Sequence, residues 1–206
     1  MPKSKSSKAW LKEHFDDEYV LRAKEEGYRC RAVYKLIEME QKDRLFRPGM
    51  TVIDLGAAPG GWSEYVVRKL GDKGRMIALD ILPMEPIEGV EIIEGDFRED
   101  AVYEQLMVAM GDSRADLVLS DMAPNMSGMG AVDMPRSYHL AELALELAGQ
   151  TLKPGGALLV KIFQGEGFDD YQRALKSRFK RVVMRKPKAS RTRSREIYAL
   201  ATDFEL

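Results

Sequence analysis

Cysteine is almost missing from this chain of 206 residues, Cys30 being the only one. A single cysteine excludes an internal disulfide framework and fits a reducing, cytoplasmic setting. Histidine is scarce too: His14 and His139 stand far apart without companion cysteines, so no structural zinc site is expected. Long hydrophobic runs are absent, none approaching the roughly 18 apolar residues of a membrane helix. The N-terminus also lacks the apolar segment of a signal peptide, so no membrane association is expected. Net charge is low, at −1 from 32 basic and 33 acidic residues. Taken at face value, that balance speaks against a nucleic-acid partner. What the chain does have is 45% hydrophobic residues, enough at this length for the core of one domain.

The charge is segregated, however. No acidic residue occurs from Tyr171 to Arg195, a stretch that carries eleven Lys and Arg, among them Arg185, Lys186, Lys188, Arg191, Arg193 and Arg195. The N-terminus repeats the pattern more mildly, with Lys3, Lys5, Lys8 and Lys12, then Arg22, Lys24, Arg29, Arg31 and Lys35. Acids gather in between, from Glu85 to Glu104. Two basic ends folded onto one face would make a phosphate-binding surface that the net charge conceals. RNA or DNA contact is the favoured reading, with a solvated helix face and a basic loop as the alternative.

The first seven residues read as a flexible Lys/Ser-rich arm. Lys8 to about Leu45 is helix-forming, and Gly27 divides it in two. Beyond Arg47-Pro48-Gly49, short apolar runs alternate with amphipathic stretches. Strands are predicted at Thr51–Leu55, Arg75–Asp80, Val90–Ile93, Asp116–Ser120 and Ala157–Ile162, the last after a turn over Lys153–Gly156. Helices are predicted at Trp62–Leu70, Asp100–Met110, Pro135–Leu152 and Phe168–Ser177, with Pro135 at a helix start, where its missing N–H does no harm. Two late strands, Arg181–Met184 and Glu196–Ala201, flank the basic loop. This alternation predicts an α/β fold: a mostly parallel seven-stranded sheet, an antiparallel pair at one edge and helices on both faces. One domain over residues 1–206 is expected, with a basic helical extension over about 1–47.

In such sheets functional residues collect at the carboxyl ends of the strands. The first strand ends in a turn, Gly56-Ala57-Ala58-Pro59-Gly60-Gly61-Trp62, whose small residues let the backbone approach a ligand. It lacks the Gly-x-Gly-x-x-Gly dinucleotide fingerprint, and Pro59 removes one N–H from any pyrophosphate cradle. The second strand ends at Asp80, placed to accept both hydroxyls of a ribose. The third is followed by Gly95-Asp96-Phe97, an acceptor beside an aromatic ring that suits an adenine. Together these three ends outline an adenosine-shaped pocket. The fourth and fifth strands end at Asp121 and Lys161, neighbours that both point into the crevice. Lys35 and Glu196 are further charged candidates, which on residue type alone fit a structural role as well as a catalytic one.

Asp-Leu-Gly-Ala-Ala-Pro-Gly-Gly-Trp-Ser (Asp54–Ser63) resembles the cofactor motif of S-adenosylmethionine-dependent methyltransferases of the FtsJ/RrmJ type. Ser-Asp-Met-Ala-Pro-Asn (Ser120–Asn125), Lys-Pro-Gly-Gly (Lys153–Gly156), Val-Lys-Ile-Phe (Val160–Phe163) and Ser-Arg-Glu-Ile-Tyr (Ser194–Tyr198) resemble later motifs of that family, in order and spacing. The resemblance implies a Rossmann-like methyltransferase fold and S-adenosyl-L-methionine as cofactor, held on Gly60, Trp62, Asp80, Asp96 and Asp121. It also implies a Lys-Asp-Lys-Glu tetrad at Lys35, Asp121, Lys161 and Glu196. The compact chain is similar to the bacterial ribosomal members, which methylate a uridine 2′-hydroxyl in the A-loop of 23S rRNA, so the large ribosomal subunit is the partner implied.

A ribose hydroxyl needs a proton acceptor as it attacks a sulfonium methyl, and Lys161 is the candidate. Burial and the positive charges of Lys35 and the sulfonium ease its deprotonation, while Asp121 orients it. Lys35 and Glu196 then position the ribose and the lysine network. A nicotinamide dehydrogenase is disfavoured by Pro59 and the missing fingerprint. A non-catalytic ribosome-assembly factor needs no intact tetrad, and tRNA or cap 2′-O-methylation stays open. A monomer without an obligate protein partner is expected.

Overall fold

The computed structural model describes residues 17–124, 127–191 and 193–205. The N-terminal arm, with Lys3, Lys5, Lys8, Lys12 and His14, lies outside the described residues, as does Asn125. Two short helices lead the described chain, α1 (Glu18–Glu25) and α2 (Val33–Asp43), with Gly27 at φ 74° between them as the sequence indicates. Asp17 caps α1 by accepting the Tyr19 N–H at 3.0 Å. Then follow β1 (Thr51–Leu55), α3 (Gly61–Leu70), β2 (Arg75–Asp80), β3 (Val90–Glu94), α4 (Asp100–Met110), β4 (Ala115–Ser120), α5 (Gly130–Thr151), β5 (Leu152–Phe163), α6 (Phe168–Lys176), β6 (Phe179–Arg185) and β7 (Glu196–Phe204).

All seven strands form one sheet in the order β3-β2-β1-β4-β5-β7-β6. β1 to β5 pair in parallel, and β7 runs antiparallel between β5 and the edge strand β6. The apolar runs of β1, β2, β4 and β5 are buried on both faces, as a parallel sheet between two helix layers requires. On one face Val52, Met76, Leu117, Leu119, Leu159 and Leu200 pack with Trp62, Val66 and Leu70 of α3 and Leu36 and Met39 of α2. On the other, Ile53, Leu55, Ile77, Val118, Leu158 and Val160 pack with Leu106 of α4, Leu145 and Ala148 of α5 and Leu175 of α6. Because side chains alternate along a strand, each strand contributes to both clusters.

Two expectations need correction. Lys153–Gly156 is not a free turn: β5 begins at Leu152, and the four residues form an excursion that shifts its register on β4 between Ala115 and Leu117. Gly155, at φ 78°, absorbs the kink. Pro135 does not start its helix either, since α5 begins at Gly130 and Pro135 lies inside it. The earlier start is held by Asp133, whose carboxylate turns back to accept from Ser127 N and Oγ and from Gly128 N at 2.7–2.9 Å.

Candidate active site

Strand register assembles the tetrad. Lys161 of β5 lies directly opposite Tyr198 of β7, and Phe163 opposite Glu196. Opposed residues of an antiparallel pair share a face, so Lys161 and Tyr198 both point to the α2–α3 side. Asp121 follows β4, its N–H donating to Leu55 O of β1 at 3.3 Å, and stands beside Lys161. The Lys161 ammonium donates to Asp121 Oδ1 at 2.9 Å and to its backbone carbonyl at 2.6 Å. Lys35, on the first turn of α2, donates to Glu196 Oε1 at 2.6 Å. All four side chains that the resemblance singles out are therefore brought together, as two ion pairs.

Tyr198 joins the two pairs, and no role was expected for it. It is fully buried, donates its hydroxyl to Asp121 Oδ1 at 2.6 Å, and lies with its ring centroid 5.8 Å from Lys35 Nζ. The signal was present in the sequence, because residues two apart on a strand face the same way and Glu196 is two before it. Burial pushes the Asp121 carboxyl up. The charges of Lys161 and Lys35, with the Tyr198 and Lys161 hydrogen bonds, outweigh that and hold it below the usual range. Glu196 behaves alike: burial raises it, and the charge and hydrogen bond of Lys35 bring it down. Tyr198 itself is pushed well above its ordinary value, by burial first and then by Asp121 and Glu196, so it stays a neutral donor.

The cofactor candidates lie one strand over. Gly56 takes φ 73° and has Met122 against it: a Cβ there would come within 2.6 Å of Met122 Cγ. Gly60 takes φ 102°, and a Cβ there would reach Ile87 at 2.7 Å and Met84 at 2.9 Å. Only glycine fits this turn without strain. Asp80 accepts Ala58 N–H at 2.9 Å on one oxygen and Leu82 N–H at 2.9 Å on the other. A carboxylate has about four acceptor sites, so two remain for hydroxyls. Asp96 is turned onto Arg98, whose side chain and N–H it accepts, and Phe97 is half-buried against the core. Pro59 offers its carbonyl to Arg29. Gly61 is buried against the Cys30 sulfur. Trp62 points away from the turn: its indole N–H donates to Ala32 O at 2.8 Å and its ring lies 5.8 Å from Tyr198. Its contribution at the turn is thus its backbone N–H in the first turn of α3, which has no intrahelical partner.

Deeper in the same face, Asp54 of β1 is buried and accepts the Ser63 hydroxyl at 2.7 Å. Burial, and after it the charges of Asp121 and Asp80, push this carboxyl up to about 7 against the pull of Ser63.

On the outer side of the Lys35–Glu196 pair opens a cavity of about 500 Å³. Arg31, Lys35, Arg191, Arg193 and Arg195 supply its cations, and Met134 and Phe163 an apolar side. The two basic ends of the chain do meet here, but only in part. Three carboxylates stitch the basic loop to the N-terminal helices: Asp17 pairs with Arg31 and stands 3.8 Å from Arg191, Glu38 accepts Lys188 and Ala189 N–H, and Asp43 grips Arg185 through both oxygens. Arg173 and Lys180 are elsewhere, paired with Asp170 and Glu205.

Residues 28–204 match the family described as FtsJ-like methyltransferase. A ribosomal RNA large subunit methyltransferase E of Alcanivorax borkumensis is 64% identical over 198 residues, covering 96% of this chain and 95% of that protein. The protein of the same name from Pseudomonas aeruginosa is 60% identical over 204 residues, 99% of both chains. A crystal structure from Plasmodium falciparum, described as a ribosomal RNA methyltransferase, superposes with a TM-score of 0.78 at 30% identity over 86% of this chain and 98% of its own. With that fold, this turn and this tetrad, the chain belongs to the FtsJ-like methyltransferase family.

Proposed function

We propose that this protein transfers a methyl group from S-adenosyl-L-methionine to the 2′-hydroxyl of a uridine in the A-loop of 23S rRNA, within the large ribosomal subunit. The observation that carries the reading is the pair of largely buried ion pairs, Lys161–Asp121 and Lys35–Glu196, placed between a glycine turn and a cation-lined cavity. The turn fits the cofactor: it admits no side chain at Gly56 or Gly60, and Asp80, Asp96 and Asp121 suit a cationic, hydroxyl-bearing ligand. When bound, S-adenosylmethionine supplies an electrophilic methyl on sulfur. Asp80 and Asp96 hold its sugar and base, with the backbone of Pro59 to Trp62 and the ring of Phe97 around them.

The acceptor nucleotide enters from the cavity, its phosphates on the arginines, which requires it to leave its stack in folded rRNA. With Lys161 as the neutral amine, its Nζ would take the proton of the 2′-hydroxyl as that oxygen bonds the methyl carbon and the carbon–sulfur bond breaks, the donor leaving as a neutral thioether. Asp121 fixes the Lys161 amine by two hydrogen bonds from it and presents negative charge toward the donor. Lys35, held by Glu196, positions the ribose. By holding the ribose, Lys35 would bring the hydroxyl into line with the donor, which would supply much of the acceleration. Residues 1–206 act as one catalytic domain, with residues 1 to about 47 as an RNA-binding extension.

The test is to react the purified protein with labelled S-adenosylmethionine and 23S rRNA, intact large subunits and tRNA in parallel, then map the methylated nucleotide. Methylation of an A-loop uridine is the expected result. Labelling of tRNA alone would move the substrate assignment, and no labelling of any RNA would overturn it.

A further inference from the structure

The seven residues from Arg29 to Lys35 touch both halves of the site. Arg29 is a half-buried side chain in the link between α1 and α2. Its guanidinium donates from Nη1 to Glu85 O at 2.8 Å and to Pro59 O at 3.3 Å, and from Nη2 to Pro86 O at 2.7 Å. Pro59 belongs to the turn after β1, and Glu85 and Pro86 to the loop after β2. Next along the chain, Cys30 packs its sulfur on Gly61, and Ala32 accepts the Trp62 indole N–H. Lys35, three residues further, is the partner of Glu196.

The two loops that Arg29 holds meet at Gly60. Ile87 and Met84 close over that glycine, with Arg29 Cδ itself 3.3 Å from where a Cβ would stand. Among the described residues, the hydrogen bonds that join the two loops run through Asp80, which takes Ala58 N–H and Leu82 N–H, and through Arg29. A planar guanidinium with five donors can span carbonyls on separate loops, whereas an ammonium is a point donor at the end of a flexible stem. Three main-chain acceptors satisfied by one cation also leave no carboxylate in the arrangement, so the fork is not there to neutralise an acid.

We propose that Arg29 is a positioning residue for the methyl donor: it sets the spacing between the Pro59–Gly60 turn and the Glu85–Ile87 loop, from the same segment that places Lys35 on Glu196. The proposal rests on the reading that this pocket takes S-adenosylmethionine. A residue that only anchored the N-terminal helices would affect thermal stability and the placement of Lys35, and would leave donor affinity alone.

Calorimetric binding of S-adenosylmethionine to the wild-type protein, Arg29→Ala, Arg29→Lys and the surface control Arg68→Ala separates these roles. Arg68 lies on α3 and pairs with its neighbour Glu64. Arg29→Ala should raise Kd for the donor about tenfold, since charge-assisted hydrogen bonds to both loops are lost. Arg29→Lys should recover part of that loss, and Arg68→Ala should match the wild type. In steady-state assays the KM for the donor should rise while the KM for RNA stays within about twofold. Unchanged donor affinity in both Arg29 variants overturns the proposal, whatever happens to the melting temperature. If Arg29→Ala does not fold, Arg29→Lys decides, because it keeps the charge and loses the fork. A wild-type protein that does not bind S-adenosylmethionine fails the underlying reading of the pocket, and the role of Arg29 falls with it.

Discussion

The Tyr198 hydroxyl donates to Asp121 Oδ1 at 2.6 Å, so one buried carboxylate oxygen receives both a phenol and the Lys161 ammonium. Removing the hydroxyl leaves that carboxylate with fewer donors in a largely desolvated place. Tyr198→Phe keeps the ring under Lys35 and beside Trp62, and should lower the unfolding free energy by about 1.5–3 kcal/mol, the worth of a hydrogen bond to a charged group. Turnover should fall as well, because Asp121 loses one of the contacts that orient it, while donor binding stays within a few-fold. Urea denaturation and single-turnover methyl transfer check the two effects. Equal stability of variant and wild type would show that the phenol and the carboxylate are not bonded in solution.

Lys161→Ala should abolish methyl transfer and leave S-adenosylmethionine binding within a few-fold, since the proposed role of the lysine is at the acceptor hydroxyl. Asp80→Ala should do the reverse at the binding step, weakening the donor by loosening Ala58 and Leu82 as well as removing the acceptor proposed for its sugar. Equilibrium binding of labelled donor beside transfer to large subunits distinguishes the two variants. Normal turnover by Lys161→Ala would end its assignment as proton acceptor.

Asp54 gives the protein a pH dependence opposite to that of the tetrad carboxylates. Its carboxyl is pushed up to about 7, whereas an unfolded aspartate titrates near 3.9. Between those values the folded chain holds a proton that the unfolded chain has released. Asp54 therefore favours the folded state most below about pH 4, and that contribution is lost as pH rises toward 7. Asp121 and Glu196 are held below their usual values, so their contribution is present above the unfolded value and is lost as pH falls. Asp54→Asn removes the first effect and keeps the second. The stability of wild type relative to Asp54→Asn should decline by up to about 1.4 kcal/mol per pH unit between roughly pH 4.5 and 6.5. A flat difference across that range in urea titrations would mean that Asp54 ionises alike in both states.

The strands and most helices were readable from apolar runs and turn residues, because burial on both faces of a parallel sheet leaves a strong mark on a sequence. The places that misled were those where tertiary contacts override local preference. Lys153-Pro154-Gly155-Gly156 has the composition of a turn, yet pairing with β4 on either side draws it into one strand with an excursion. Pro135 has the preference of a helix start, yet Asp133 collects the Ser127–Gly128 loop and extends the helix beyond it. The tetrad was found as four separate residues through family resemblance. The Lys161–Asp121 pair was legible from neighbouring strand ends, whereas the Lys35–Glu196 pair and the Tyr198 link were not, because they depend on β7 entering the sheet between β5 and β6, which sets Tyr198 opposite Lys161. Arg29 reads only as one more cation of the basic N-terminal end, since nothing in its local sequence shows that its partners are carbonyls thirty or more residues away on two loops, Pro59 being the nearest at a separation of 30.

The basic stretch also divides into parts with different work to do, and salt dependence can tell them apart. Arg195 is exposed at the cavity beside the start of α5, its Nη2 3.8 Å from where a Cβ of Gly130 would stand. Arg173 lies on α6 and pairs with Asp170, away from the cavity. Each RNA phosphate held by a cation releases counterions, so affinity falls with salt in proportion to the number of such contacts. Arg195→Ala should therefore weaken rRNA binding and reduce the slope of log K against log salt by about one. Arg173→Ala should change neither. A filter-binding series from low to moderate salt measures both slopes on the same rRNA. Equal losses in the two variants would mean that the whole stretch from Tyr171 to Arg195 attracts RNA diffusely, and that the cavity beside Lys35 and Glu196 holds no phosphate of its own.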